Sequence, residues 1–146
     1  MCIKWYIYDP LGESDLIFVY MMHIIHAFLT CNHLYLIKQR LFASENDVFI
    51  AGDLLWYPVE GSVKTRQAPD IMVIFGRPKG KRGSYKQWEE NNIAPQVVFE
   101  ILSPGNRSQE IAKKLLFYQR HGVEEYYVYN PDKIELTGFI LEQAWL

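Results

Sequence analysis

Two acidic residues stand where acidic residues are costly. Asp70 opens the apolar run "IMVIF", and Glu100 lies inside "VVFEIL", with 29 residues between them. A carboxylate in a hydrophobic strand has to be hydrogen-bonded, ion-paired, protonated or bound to a metal. Strand alternation places Val98 and Leu102 on the same face as Glu100, and both are apolar, which argues against a solvent face. Two such carboxylates brought together repel each other, and a divalent cation removes that repulsion. The pair therefore points to an oxygen-ligand site for Mg²⁺, with Mn²⁺ as a substitute. The competing reading pairs Glu100 with a buried Lys or Arg.

A lysine is within reach. Residues 106–121 have helical periodicity: Ile111, Leu115 and Tyr118 form a stripe, Ala112 and Leu116 widen it, and Gly122 ends the helix. Lys114 lies at the edge of that stripe, and Lys113 points nearly opposite. An inward-reaching ammonium at Lys114 could hold or help deprotonate a water and stabilise charge developing on a phosphate, as phosphodiester hydrolysis requires. The plainer reading of Lys114 is a boundary residue whose stem lies on the core.

The remaining elements have to bring these three residues together. Residues 1–12 form at most a weak strand ending in the turn signal "DPLG", and Ser14 caps a largely buried helix to about Leu29. "DVFIAGDLLWYP" (47–58) reads as one bent strand or a hairpin. Residues 68–76 and 96–103 read as neighbouring interior strands, and "EEYYVYNPDKIELTGFI" reads as strand, turn and strand. Helix, strands, helix and two strands make a mixed α/β sheet domain.

Composition narrows the class. A chain of 146 residues that is 49% apolar and 22% charged fits one domain over residues 1–146 and excludes disordered and fibrous classes. Cys2 and Cys31 are too few for a disulfide framework, so a reducing, cytoplasmic setting is expected. The stretch "LIFVYMMHIIHAFLT" is shorter than a bilayer span and carries two histidines, so no membrane association is expected. His23 and His26 are one helical turn apart, but their apolar surroundings favour buried or helix-end histidines over a metal site.

The net charge of -2 conceals a basic segment. Seven of the fifteen Lys and Arg residues, namely Lys64, Arg66, Arg77, Lys79, Lys81, Arg82 and Lys86, fall between 64 and 86, where Asp70 is the only acid. "GRPKGKRGSYKQW" adds Gly and Pro for an exposed loop and Tyr85 and Trp88 for stacking or packing. Arg77, Lys79, Lys81, Arg82 and Lys86 are the candidate contacts to a nucleic-acid backbone. A solvated loop kept soluble by its charge is the alternative.

"PD" at Pro69-Asp70, followed by an acidic residue in the next strand, resembles the PD-(D/E)xK nuclease superfamily. The ordered set "EILSP", "KLLFY", "GVEEY" and "NP" is similar in closer detail to the Uma-two family of putative restriction endonucleases, over a stretch reaching back to about Asp47. The resemblance implies a restriction-endonuclease-like core, a central mixed sheet flanked by helices, with atypical N- and C-terminal ends here. It implies that Asp70 and Glu100 bind the metal, assisted by the backbone carbonyl of Ile101, and that Glu13 is the match for a further acidic residue. The superfamily's usual lysine stands two residues after the acid, where this chain has Leu102. The family pattern places its lysine on the following helix, at Lys114.

The expected function is a Mg²⁺-dependent DNA endonuclease, with Asp70, Glu100 and Lys114 catalytic and a homodimer as the way to reach both strands. The alternative is an inactive nuclease-derived domain that binds nucleic acid or a protein partner.

Overall fold

The computed structural model describes residues 44, 46–103, 105, 108–133 and 135–141. The expected N-terminal strand and helix, Glu13, His23, His26 and both cysteines lie outside the described residues.

Among the described residues seven strands and one α-helix follow in order: β1 (Val48–Ala51), β2 (Trp56–Tyr57), β3 (Ile71–Phe75), β4 (Tyr85–Lys86), β5 (Val97–Ile101), α1 (Ser108–Arg120), β6 (Glu125–Asn130) and β7 (Glu135–Ile140). Five strands form the main sheet in the order β1-β3-β5-β6-β7. The β5–β6 pair is parallel and the other three are antiparallel, so the sheet is mixed, and α1 supplies the crossover that a parallel pair requires. Interior strands β3 and β5 are Val/Ile-rich and adjacent, as their sequence requires.

The stretch 47–58 is neither a hairpin nor one bent strand. β1 joins the main sheet, whereas β2 pairs in parallel with β4 in a separate two-stranded sheet. Asp53 turns the chain between them at a φ of 51°, its amide donating to the Pro69 carbonyl at 3.0 Å. Trp56 then locks onto Gln67 through backbone bonds of 2.8 and 3.1 Å. These partners are remote in sequence, and no local pattern announces them.

The helix ends as expected, in a Schellman motif. Gly122 takes a φ of 89°, its amide points to the Gln119 carbonyl at 3.4 Å, and the Val123 amide donates to the Tyr118 carbonyl at 3.0 Å. Val123 and Tyr118 are both fully buried, which supplies the hydrophobic contact of that motif and fixes the height of Tyr118 on the sheet.

The buried stripe of α1 differs from expectation. Ala112 is exposed and Leu116 is 63% exposed, so neither widens it. The face is instead centred on Tyr118, with Lys114 about 40° away at 100° per residue. Trp56 causes the rotation: its ring meets Phe117 edge-on at 5.7 Å, stacks over Tyr118 at 6.3 Å and meets His121 edge-on at 6.3 Å. The core on this side of the sheet gathers Phe49, Met72, Ile74, Val98, Tyr126 and Val128 with Trp56 and Tyr118.

Candidate active site

Strand register decides where the two carboxylates lie. In the antiparallel β3–β5 pair Ile71 faces Phe99 and Met72 faces Val98, so one further step sets Asp70 opposite Glu100. Directly opposed residues of an antiparallel pair project to the same side with Cβ atoms about 5 Å apart. That side is the one α1 covers, since Val98, next but one to Glu100, belongs to the core shared with Tyr118.

Each carboxylate has partners. Asp70 Oδ2 accepts the Ile101 amide at 2.6 Å, and this bond continues the strand pairing past the end of β3 with a side chain. Glu100 is 5% exposed. Its Oε2 accepts from Lys114 Nζ at 2.7 Å and its Oε1 from the Tyr118 hydroxyl at 2.5 Å. Lys114 keeps 30% exposure, so the site has a buried carboxylate floor and a cationic rim open to solvent.

Burial pushes the Glu100 carboxyl above its usual range; the bonds from Lys114 and Tyr118 pull it back, and the charge of Asp70 adds to the rise. Burial also raises the Tyr118 phenol, with the Glu100 charge second, so it stays a neutral donor. Tyr126 is raised in the same way, by burial first and then by Glu100 and Asp70.

Asp70, Glu100, Lys114 and the backbone of Ile101 thus meet. Tyr118 joins them as a ligand of Glu100, a role the sequence analysis did not assign; its place one helical turn after Lys114 was the available signal. Among the described residues no three His, Cys, Asp or Glu side chains gather around one point. A cation here would rest on two carboxylates and a backbone oxygen. Mg²⁺ accepts such a set, because it retains several waters and takes one or two carboxylates. Ile101, whose amide already faces Asp70, presents its carbonyl toward the same neighbouring strand. The donor set fits the ion, and the Coulombic strain between Asp70 and Glu100 is what an ion would relieve.

The basic residues lie elsewhere. Asp70 precedes the first residue of β3 and Arg77 follows its last by two, so the length of the strand, about 20 Å, separates Asp70 from the start of the basic loop. Arg77 and Arg82 turn inward onto one carboxylate, Glu90, at 2.7 and 2.5 Å, with all three side chains 13–16% exposed. Arg82 also donates to the Pro78 carbonyl and stands 3.9 Å over the Phe49 ring. Lys86 pairs with Glu89 at 3.1 Å. Lys79 and Lys81 are exposed. Tyr85 is fully buried, stacked on Phe49, with its hydroxyl donating to the Ile93 carbonyl at 2.7 Å. Two of the five basic residues from Arg77 to Lys86, namely Arg77 and Arg82, therefore hold the loop in shape.

Glu90→Gln is expected to cost about 2 kcal/mol, or about 8 °C in melting temperature, by stranding two guanidinium groups. Trypsin should then cleave between residues 77 and 82 faster than in the wild type. Equal melting and digestion would show that the two ion pairs contribute nothing.

A family model described as "Putative restriction endonuclease", Uma2, matches residues 19–145. The chain belongs to the Uma2 family. The match begins well before Asp47, where the resemblance in the motifs began, and Asp70, Glu100 and Lys114 all fall inside it. A crystal structure of a putative nuclease belonging to DUF820 from Anabaena variabilis shares the fold, with a TM-score of 0.54 and 17% identity over 94% of this chain and 67% of that one. No match was found among curated proteins. The fold is restriction-endonuclease-like, and no helix among the described residues is long and apolar enough to cross a membrane.

Proposed function

We propose that this Uma2 member is a Mg²⁺-dependent DNA endonuclease. One observation carries the reading: the β3–β5 register sets Asp70 opposite Glu100, and Lys114 reaches the same carboxylate at 2.7 Å from a different element. A bound Mg²⁺ would polarise the scissile phosphate and lower the pKa of an attacking water. Asp70, Glu100 and the Ile101 carbonyl would hold the ion. The Lys114 ammonium, at the open rim beside Glu100, would orient the water or stabilise charge developing on the phosphate.

The duplex would run from this rim along β3 toward the basic loop. About 20 Å corresponds to about six nucleotides of one strand. Lys79 and Lys81 are the phosphate contacts best placed by exposure, while Arg77 and Arg82 shape the loop. Cutting both strands would call for two copies of the chain, and a cytoplasmic setting suits such an enzyme.

Purified protein with Mg²⁺ or Mn²⁺ is expected to nick or linearise plasmid DNA, and EDTA should stop it. Intact plasmid and single-stranded DNA, with folding verified by circular dichroism, would overturn the reading. A single-stranded RNA control separates DNA from RNA cleavage.

A second reading rests on the Lys114–Glu100 bond itself, which neutralises the buried carboxylate without any ion. A nuclease-derived domain that binds nucleic acid without cutting it would keep that pair permanently. Such a protein would bind DNA but show no Mg²⁺-dependent rise in melting temperature.

A further inference from the structure

Among the described residues two buried side-chain polar atoms have no hydrogen-bond partner, Arg82 Nη1 and the Tyr126 hydroxyl. The first belongs to a guanidinium already tied to Glu90 and Pro78. The second serves no interaction described so far.

Tyr126 pairs with Val98 across β5–β6, and Glu100 pairs with Val128, so Tyr126 and Glu100 share a sheet face as diagonal neighbours. At that spacing, about 7–8 Å between backbones, an aromatic side chain reaches its neighbour. The ring is fully buried and held on two sides, by Tyr118 with centroids 5.0 Å apart and by Phe139 stacked at 5.8 Å. It cannot turn its hydroxyl to solvent. The charges acting on that hydroxyl are Glu100 and Asp70. A buried, unpaired hydroxyl costs stability, and phenylalanine would fill the same space without that cost.

Glu100 currently needs no further donor, since Tyr118 serves Oε1 and Lys114 serves Oε2. Lys114 is the donor at the open rim, so it is the one able to leave. On its departure Oε2 loses its partner inside a dry core, and the Tyr126 hydroxyl is the desolvated donor at hand.

We propose that Tyr126 is a positioning residue that donates to the Glu100 carboxylate when Lys114 turns away toward substrate, so that Glu100 keeps two donors in both states. The inference rests on the proposed endonuclease reading for what draws Lys114 away. A neutral donor in place of an ammonium leaves the full charge of Glu100 available to a cation while holding the carboxylate in orientation.

A metal-free double-mutant cycle tests it, with Lys114→Met mimicking the departed lysine. Tyr126→Phe alone should leave the melting temperature unchanged or raise it slightly, because an unpaired hydroxyl is removed. In the Lys114→Met background the same change should lower melting by about 4 °C, the loss of one hydrogen bond. Equal effects in both backgrounds overturn the proposal. Should Lys114→Met fail to fold, the Mg²⁺ titration of melting temperature decides, using Tyr126→Phe in the otherwise unaltered chain. Its midpoint should move about tenfold upward. An unchanged midpoint, in a protein whose wild type responds to Mg²⁺, overturns the proposal. A wild type that ignores Mg²⁺ sinks the endonuclease reading instead, and the metal-free cycle is then run with Lys114→Ala, where equal effects of Tyr126→Phe in both backgrounds overturn the proposal.

Discussion

Asp70→Asn is expected to cut DNA at least about a thousand-fold more slowly than wild type, equivalent to about 4 kcal/mol of barrier, while folding normally. The substitution keeps the structural bond: the amide oxygen of Asn still accepts from the Ile101 amide that now binds Asp70 at 2.6 Å. What it removes is charge. One of two opposed carboxylates is neutralised, and with it the charge that helps raise Glu100.

The sign of the stability change follows. An acid whose folded-state pKa lies above its unfolded value makes the protein less stable as pH rises through that interval, because the folded state binds the proton more tightly. Removing a cause of the rise shrinks that penalty, so metal-free Asp70→Asn should melt at or slightly above wild type near neutral pH. Mg²⁺ should stabilise the wild type and leave the variant unmoved. Melting curves with and without Mg²⁺, run beside plasmid cleavage, check all three points. A variant that cuts at the wild-type rate would remove Asp70 from the chemistry.

Lys114→Met is expected to lower stability by an amount that depends on pH. The ammonium bonds a carboxylate that is 5% exposed, and its loss replaces a charged donor to Glu100 with neutral hydroxyls, Tyr118 and, on the inference above, Tyr126. Breaking a buried pair costs about 3–5 kcal/mol, and the partial exposure of Lys114 reduces that to about 2 kcal/mol. Without the lysine the Glu100 carboxyl rises further, since the hydrogen bond and charge of Lys114 are what hold it down.

The deficit against wild type should therefore be greatest well above the ordinary carboxylate value of 4.5 and shrink as pH falls toward it, because Glu100, raised in both proteins and further in the variant, takes up its proton on the way down. Melting temperatures of both proteins across that range test the claim. A deficit that stays constant with pH would mean that Lys114 stabilises through its packed stem and not through its charge. On the proposed mechanism the same variant should lose cleavage, with loss of kcat exceeding any change in KM, because the ammonium would act on charge that develops in the transition state.

The division between sequence and tertiary structure runs through these same residues. The runs around Asp70 and Glu100 announced themselves as interior strands through Val and Ile, and Gly122 marked the helix end because a left-handed cap tolerates few other residues. The order of short motifs, read along the chain, led to the family. Helical periodicity selected Lys114 over Lys113, since side-chain direction on a helix is set by position alone.

Other features needed the folded chain. Whether Asp70 meets Glu100 depends on register, and a slip of one residue would send one carboxylate to the opposite face of the sheet. The centre of the buried face of α1 depends on Trp56, an indole from a strand far upstream that rotates the stripe toward Phe117 and leaves Leu116 in solvent. Arg77 and Arg82 look like substrate contacts in a list of charges, yet Glu90 claims both, because a partly buried carboxylate attracts the nearest cations irrespective of function. Composition and periodicity are local properties and determined the interior strands β3 and β5, the helix α1, the pair β6 and β7, and the candidates Asp70, Glu100 and Lys114. Opposition across strands, the bond from Tyr118 to Glu100 and the unpaired hydroxyl of Tyr126 depend on residues distant in sequence, and only the packed sheet decided them.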